Sequence, residues 1–291
     1  MQSKISLARL NGDNISGIRP LSEAEIEEIK SCNMEIFEFN RHFKLIEYVL
    51  HNFEALKACI NEALHSFAEK QESIGHYDLD KFGHEVNITL LNLMMSAKTF
   101  LDHMETNIKR EYGKDSEQIK LFKNLTSKEF DDKFSYKFMY KLRNYVQHCG
   151  MPPLKYSKSK VFNDGTPYAE IILNFDRDSL LLDFKKWGAL VKSELEKQEE
   201  NFNAFYIIEE FVLSILSIYV TFFSKTTFEN TLKAKMRILE IIEQPEPYFS
   251  DDYCILKAEQ GEGGKATFNM SFIPASLFKK VKQFLDWKNE I

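Results

Sequence analysis

Three residues near the middle of the chain carry side chains that could together cleave a phosphodiester bond. Arg143 and Asn144 are adjacent, and His148 follows four residues after Asn144. Histidine transfers protons because its pKa lies near neutral pH, and the arginine fork binds phosphate oxygens without losing its proton. RNA supplies its own nucleophile, the 2′-OH. We therefore expect His148 to act as general base or acid, Arg143 to stabilise charge on the phosphate, and Asn144 to orient either group.

A single predicted helix carries these residues, beginning near Thr126 or Ser127 and running to about His148. Gly150 and the two prolines that follow it end the helix. At about 100° per residue, Arg143 and His148 lie about 140° apart, with Asn144 between them. A stripe about 80° wide along the same helix contains Lys133, Lys137, Lys141, Asn144 and His148. Phe134, Phe138, Leu142, Tyr145 and Val146 fall on the opposite face and are the predicted core.

The segment from Phe134 to Pro153, FSYKFMYKLRNYVQHCGMPP, resembles the signature of the HEPN superfamily. That signature is an arginine followed by a polar residue, with a histidine four to six residues after the arginine; here it reads R-N-x-x-x-H. A preceding long helix with SAKTFLDHMETNIKREYG strengthens the likeness, which covers residues 86–155. The resemblance implies a helical bundle and a metal-independent RNA endonuclease that needs no cofactor and leaves a 2′,3′-cyclic phosphate. It also implies a homodimer with a composite active site, in a toxin or a phage-defence effector.

Further roles follow from the resemblance and from the helix geometry. HEPN proteins often place an acidic residue of the preceding helix beside the motif, which points to Asp102 as a residue that orients His148 or Arg143. A surface carboxylate or a helix-helix salt bridge is the alternative. Lys133, Lys137 and Lys141 would hold the RNA backbone, with Gln147 beside them. Tyr136 and Tyr140 could stack on bases. In one branch of the family a tyrosine stands two residues after the histidine and is modified by an antitoxin. This chain has Gly150 at that position, which argues against regulation by modification of such a tyrosine. An antitoxin or another regulatory partner is still an expected partner of the chain.

The charge distribution supports a nucleic-acid partner even though the net charge is −6. Residues 114–160 contain 11 Lys or Arg and 5 Asp or Glu, so they carry 11 − 5 = +6, and the rest of the chain carries −6 − 6 = −12. A local basic patch on an acidic protein is typical of a nucleic-acid contact. A solvated basic helix face is the alternative interpretation.

Three other interpretations of these residues compete with RNA cleavage. The chain could be a non-catalytic HEPN module that binds RNA or a nucleotide, or the arginine and histidine could make ordinary hydrogen bonds at a buried interface. A metal nuclease could use the pairs Asp78/Asp80 or Asp176/Asp178, but both flank predicted element boundaries, where Asp is common as a cap. The sequence GEGGKAT lacks the spacing of a phosphate-binding loop and reads as a hairpin turn.

The predicted fold class is mainly α, a HEPN-like helical bundle with a small antiparallel β element in the C-terminal half. We divide the chain into an N-terminal arm (1–20), a bundle (21–245) with a β-hairpin insertion near 160–175, and a β-hairpin plus C-terminal helix (246–291). The last part is expected to pack on the same domain, and the strands to pair into one small sheet.

A cytoplasmic protein without a membrane segment is expected. The N-terminus lacks the apolar region of a signal peptide. The most hydrophobic run, Phe211–Phe223, has 13 uncharged residues, fewer than the roughly 20 that cross a bilayer, and we interpret it as a buried core helix or a helix at a dimer interface. The four cysteines are far apart in sequence, which suits a reducing compartment.

Overall fold

The computed structural model of the chain describes residues 4–69, 76–163, 166–243, 252–260 and 266–291. The prediction of a mainly helical chain with small antiparallel β elements is confirmed. The helices are α1 (Glu23–Glu69), α2 (His76–Tyr112), α3 (Glu117–Asp132), α4 (Phe134–Cys149), α5 (Arg177–Asp183), α6 (Ala189–Leu195), α7 (Ala204–Lys225), α8 (Phe228–Ile241) and α9 (Phe278–Glu290). The strands are β1 (Lys4–Asn11), β2 (Asn14–Pro20), β3 (Leu154–Asn163), β4 (Thr166–Asp176), β5 (Asn201–Asn203), β6 (Asp252–Gln260) and β7 (Ala266–Ile273).

The chain divides into two compact units, with boundaries that fall inside α1 and α7. The first unit contains residues up to Lys44 together with those from Phe223 onward, and the second contains Leu45–Phe222. The candidate residues of the sequence analysis all belong to the second unit.

The first unit contains a four-stranded antiparallel sheet in the order β2-β1-β6-β7. Residues 4–20, which we had assigned to an N-terminal arm, form β1 and β2 of this sheet. Gly12, at φ +58°, lies in the tight turn that joins these strands, a backbone conformation that glycine adopts without strain. Helix α9 supplies Phe284, whose ring centroid lies 4.1 Å from that of Phe228, to the core of this unit.

The second unit is built around α2, α3 and α4, and it contains a second sheet. Strands β3, β4 and β5 form this sheet in that order, so the prediction of one common sheet is wrong. The predicted hairpin is present and begins earlier, at Leu154. Its turn residues Asp164 and Gly165 lie outside the described residues, as do the loop 261–265 and the prolines 245 and 247.

The helix predicted from Thr126 to His148 is divided into two helices at Lys133. The backbone of Lys133 is extended (φ −117°, ψ 123°), so α3 ends there and α4 starts again at Phe134. Helix α4 ends as predicted, before Gly150, whose φ of +103° is a conformation that favours glycine. Helix α1 is continuous over its 47 residues.

Helix α7 contains the hydrophobic run Phe211–Phe223. Among the described residues it is the one helix that is long and apolar enough by composition to cross a membrane. Buried residues make up 67% of its most apolar window, as in the core helix of a soluble protein. This agrees with our interpretation of the run as a core helix.

Candidate active site

Helix α4 is buried on more sides than its sequence pattern predicts. The buried residues are Ser135, Tyr136, Lys137, Phe138, Met139, Leu142 and Tyr145. Helices α2, α3 and α6 pack against it, and Phe138 also contacts Phe175 of β4 and Phe202 of β5. The access that remains to α4 is near its C-terminal half, where Arg143, Asn144 and His148 are located.

A cleft between α2 and α4 contains two of the three predicted catalytic residues. Arg143 and Asn144 line it from α4, together with the exposed Tyr140. Lys98 and Leu101 line it from α2, and Phe211 of α7 lies at its wall. Its empty volume is about 420 Å³, the open space at its mouth included. The cleft is therefore lined by two cations, an amide and two aromatic rings, which are groups that bind nucleotides.

The guanidinium of Arg143 has no partner among the residues that the structure describes. Its Nε is buried and makes no hydrogen bond, and no acidic side chain pairs with it. A buried polar group without a partner costs roughly 1–3 kcal/mol. An anion bound in the cleft would offer acceptors to the part of the Arg143 side chain that lines it. Asn144 likewise makes no hydrogen bond with the described part of the chain, so its amide is free to contact the same anion.

Lys98 is the residue of this cleft that the sequence analysis missed. Its ammonium forms an ion pair with Asp102, one helical turn further along α2. It also lies 5.9 Å from the ring centroid of Tyr140, in a cation–π arrangement. Asp102 thus pairs with Lys98 rather than with Arg143 or His148, and its side chain is 55% exposed. The i, i+4 spacing of Lys98 and Asp102 in SAKTFLDH was the signal that could have revealed the pair.

His148 lies in the last turn of α4, exposed and outside the lining of the cleft. Its ring stacks on that of Phe184 with the centroids 6.4 Å apart. Tyr145 holds this end of the helix by donating a 2.9 Å hydrogen bond to Asp183, and burial together with this bond raises the pKa of Tyr145. The structure therefore brings Arg143 and Asn144 together within one copy of the chain and leaves His148 on an adjoining surface.

Two residues of the predicted RNA-binding face are buried, so the prediction for them is wrong. Lys137 is 1% exposed; its Nζ pairs with Glu194 of α6 at 2.7 Å and donates to the backbone oxygen of Asp131 at 3.0 Å. Tyr136 is 2% exposed and packs on Phe211, so its ring cannot stack on a base. Burial also raises the pKa of Tyr136. The aliphatic stem of Lys137 fills space between helices, and its charge is neutralised there.

The other predicted RNA-binding residues remain accessible to different degrees. Lys133 is half-buried and pairs with Glu129 at 2.9 Å, and it also donates to Ser214. Lys141 is half-buried with no partner among the described residues, and Gln147 is exposed. Tyr140 is 39% exposed, with one ring edge against Phe130.

We expect the Lys137–Glu194 pair to affect stability in an asymmetric way. Replacing Glu194 by alanine leaves a buried ammonium with one carbonyl partner, and should lower the free energy of unfolding by about 2 kcal/mol or more. Replacing Lys137 by methionine should cost less than half as much, because Glu194 is 28% exposed and stays hydrated. Urea unfolding followed by circular dichroism measures both. Equal losses for the two variants would show that the pair does not stabilise the fold as described.

Among the described residues, no group of three or more His, Cys, Asp or Glu could hold a metal ion. Asp176 caps α5 by accepting from the backbone N–H of Ser179, and its hydrogen bond with Lys155 lowers its pKa. Asp178 pairs with Arg177. These two carboxylates therefore have the structural roles that their position at an element boundary predicts. The side chain of Asp78 lies outside the described residues.

No protein-family model, curated protein or solved structure matches this chain.

Proposed function

We propose that the chain is a metal-independent RNA endonuclease of the HEPN type, with its active site at the C-terminal half of α4. The observation that carries this proposal is the partnerless guanidinium of Arg143, which faces a cleft beside Lys98 and Asn144. The exposed His148 on the same helix adds a group that can transfer protons. A toxin or phage-defence effector acting in the cytoplasm, controlled by an antitoxin or regulatory partner, suits this chemistry.

The proposed reaction is an internal transesterification. The 2′-oxygen of the ribose forms a bond to the phosphorus, its proton passes to a base, and the bond from phosphorus to the 5′-oxygen breaks as that oxygen takes a proton. The cleaved phosphate would lie in the cleft, where Arg143 and Lys98 stabilise the growing negative charge. His148 takes the proton of the 2′-OH as the base, gives a proton to the leaving 5′-oxygen as the acid, or fills both roles through the two copies of a dimer. Asn144 orients His148 or the phosphate.

A homodimer with a composite site accounts for the separation of Arg143 and His148. Five residues of helix separate them by about 7.5 Å along the axis and about 140° around it. Two copies of α4 related by a two-fold axis would place the His148 of one copy near the Arg143 of the other, and would form two equivalent sites.

Incubation of the purified protein with total RNA and with tRNA in excess EDTA tests the proposal. We expect discrete fragments on a denaturing gel, because no step requires a metal ion. Intact RNA after incubation with folded dimeric protein, at any protein concentration tested, would refute the proposal for these substrates. Cleavage that appears only when magnesium or manganese is added would exclude the metal-independent mechanism.

A non-catalytic module that binds RNA or a nucleotide is the second candidate. The position of His148 outside the cleft favours it, because binding needs the cations and the amide but no histidine beside them. This candidate predicts that RNA binds at Arg143 and is released intact.

A further inference from the structure

Helix α2 carries a stripe of accessible charged and apolar side chains along one face. Its members recur every three or four residues, the spacing at which the side chains of one helix meet a second helix. The α2 stripe consists of Lys81, Glu85, Ile88, Leu91, Asn92, Met95, Lys98 and Asp102. Lys98 is half-buried and the other members are exposed, so the stripe as a whole is open to another molecule.

The middle of the α2 stripe is apolar. Ile88, Leu91 and Met95 are 41%, 37% and 42% exposed, and they are the exposed large apolar side chains among the described residues of α2. They stand on adjacent turns of the helix rather than singly. Adjoining exposed apolar side chains with charged residues at both ends are typical of a contact with another protein surface.

The order of the charges makes the α2 stripe complementary to a second copy of itself that runs in the opposite direction. With a two-fold axis between Leu91 and Asn92, Ile88 lies opposite Met95 of the second copy. Glu85 then lies opposite the second copy's Lys98, and Lys81 lies opposite the second copy's Asp102. Each charged contact joins opposite signs, and the apolar residues meet at the centre.

A parallel arrangement of the same two helices lacks this match. It sets Lys81 against Lys81, Glu85 against Glu85 and Asp102 against Asp102, so that like charges repel along the whole contact. The stripe therefore specifies the direction of its partner as well as its identity.

The charges at the ends of the stripe are available for such a contact. Lys81 and Glu85 form no ion pair with any side chain that the structure describes. Lys98 and Asp102 pair with each other within one copy. In the antiparallel dimer each end would contain a row of four alternating charges, in which Lys98 and Asp102 of one copy lie between Glu85 and Lys81 of the other.

The centre of the stripe lies at the level of His148. Helix α4 runs antiparallel to α2, because Tyr140 shares the phosphate cleft with Lys98, whereas Pro152, beyond the end of α4, lies beside Gly83 in a second cavity. His148 falls between these two levels, beside the middle of the α2 stripe. A two-fold axis there brings the His148 of the second copy toward the phosphate cleft of the first.

We propose that α2 forms a homodimer interface with α2 of a second copy, antiparallel and centred between Leu91 and Asn92, and that this interface completes the active site. The completion of the site rests on the proposed function, whereas the dimer does not. Sedimentation velocity over a range of protein concentrations measures it without RNA. We expect a dissociation constant on the order of 10 µM, because the apolar centre is small.

Reversal of the charges tests the direction of the pairing. Lys81→Glu sets two acidic residues opposite each other at both ends of the dimer, and Asp102→Lys sets two basic ones there. Each change alone should raise the dissociation constant by about tenfold or more. The double variant Lys81→Glu/Asp102→Lys has opposite charges at both contacts again, and should regain most of the lost affinity. A double variant that dimerises no better than either single one would refute the antiparallel arrangement.

Replacement of an apolar residue at the centre tests the surface itself. Ile88→Asp should leave the protein monomeric, with an unchanged melting temperature because Ile88 is exposed. Met236→Asp is the matched control: Met236 is 52% exposed on α8 and lies in the other unit, so this variant should dimerise like the wild type. A wild-type protein that is monomeric at every concentration, or a dimer that survives Ile88→Asp, would overturn the proposal.

RNA cleavage by the same proteins separates this inference from the proposed function. If both hold, Ile88→Asp should lose cleavage together with the dimer, while Met236→Asp keeps both. A dimer that depends on Ile88 in a protein that cuts no RNA would sustain the interface and refute the endonuclease. RNA cleavage by a protein whose dimer is indifferent to the α2 variants would refute the interface and sustain the endonuclease.

Discussion

Replacing His148 by alanine is expected to lower the rate of RNA cleavage by about 10²–10⁴-fold, the usual contribution of a general acid or base. The side chain is exposed, and the contact described for it is the stacking on Phe184, so the fold should be unaffected. Initial rates on one RNA substrate, measured on denaturing gels in EDTA, give the effect. RNA affinity, measured by fluorescence anisotropy, should change little, because His148 lies outside the phosphate cleft.

His51 provides a matched control for this variant. It is an exposed histidine on α1 within the same unit, and it has no place in the proposed site. His51→Ala should cleave RNA at the wild-type rate. Equal rates for His148→Ala and the wild-type protein would remove the proton-transfer role and favour the binding module.

Replacing Arg143 by alanine is expected to lower the rate of RNA cleavage by about 10²–10³-fold. This is the usual loss when one group that stabilises charge in the transition state is removed. Arg143→Lys should restore little of the rate, because an ammonium keeps the charge but not the planar fork. The melting temperature of Arg143→Ala should not fall, since the guanidinium has no partner among the described residues. Cleavage rates and thermal unfolding of the same preparations measure both effects.

Lys141 is the matched cation for the Arg143 variants, because it lies on the same helix and outside the cleft. Lys141→Ala should weaken RNA binding modestly and reduce its salt dependence, with the rate on bound RNA nearly unchanged. A loss of rate as large as that of Arg143→Ala would mean that general positive charge, rather than a guanidinium in the cleft, drives cleavage.

Mixing the two inactive variants tests the composite site. If Arg143 of one copy acts with His148 of the other, a dimer of Arg143→Ala with His148→Ala keeps one intact site. After random exchange of subunits the mixture should regain about one quarter of wild-type activity. No recovery, with exchange demonstrated, would place both residues of each site in one copy.

Local sequence patterns predicted the end of α4 because a helix end depends on short-range chemistry. Gly150 and the prolines end the helix wherever it packs. The strands β1 and β2 were missed because the second partner of β1 is β6, more than 240 residues away, as in the register Ala8 to Cys254. No local periodicity reveals such a partner.

The errors on α4 have a similar cause. A helical projection gives the angles between side chains, but the neighbouring elements decide which angles are covered. Lys137 was assigned to a solvated face because its partner, Glu194, lies 57 residues away on α6. Tyr136 was assigned to the same face and is covered by Phe211 of α7. The pair Lys98–Asp102 could have been predicted from its i, i+4 spacing.

The central claim is that the 2′-OH of the RNA is the nucleophile and that no metal ion takes part. Its most direct test is an oligonucleotide whose cut site has been mapped, compared in EDTA with the same oligonucleotide carrying one 2′-deoxy nucleotide on the 5′ side of the cut. We predict that the all-ribose strand is cut to a 2′,3′-cyclic phosphate end and that the substituted position is not cut. Cutting at the deoxy position, or a product with a 5′-phosphate and a free 3′-hydroxyl, would contradict the mechanism assigned to Arg143 and His148.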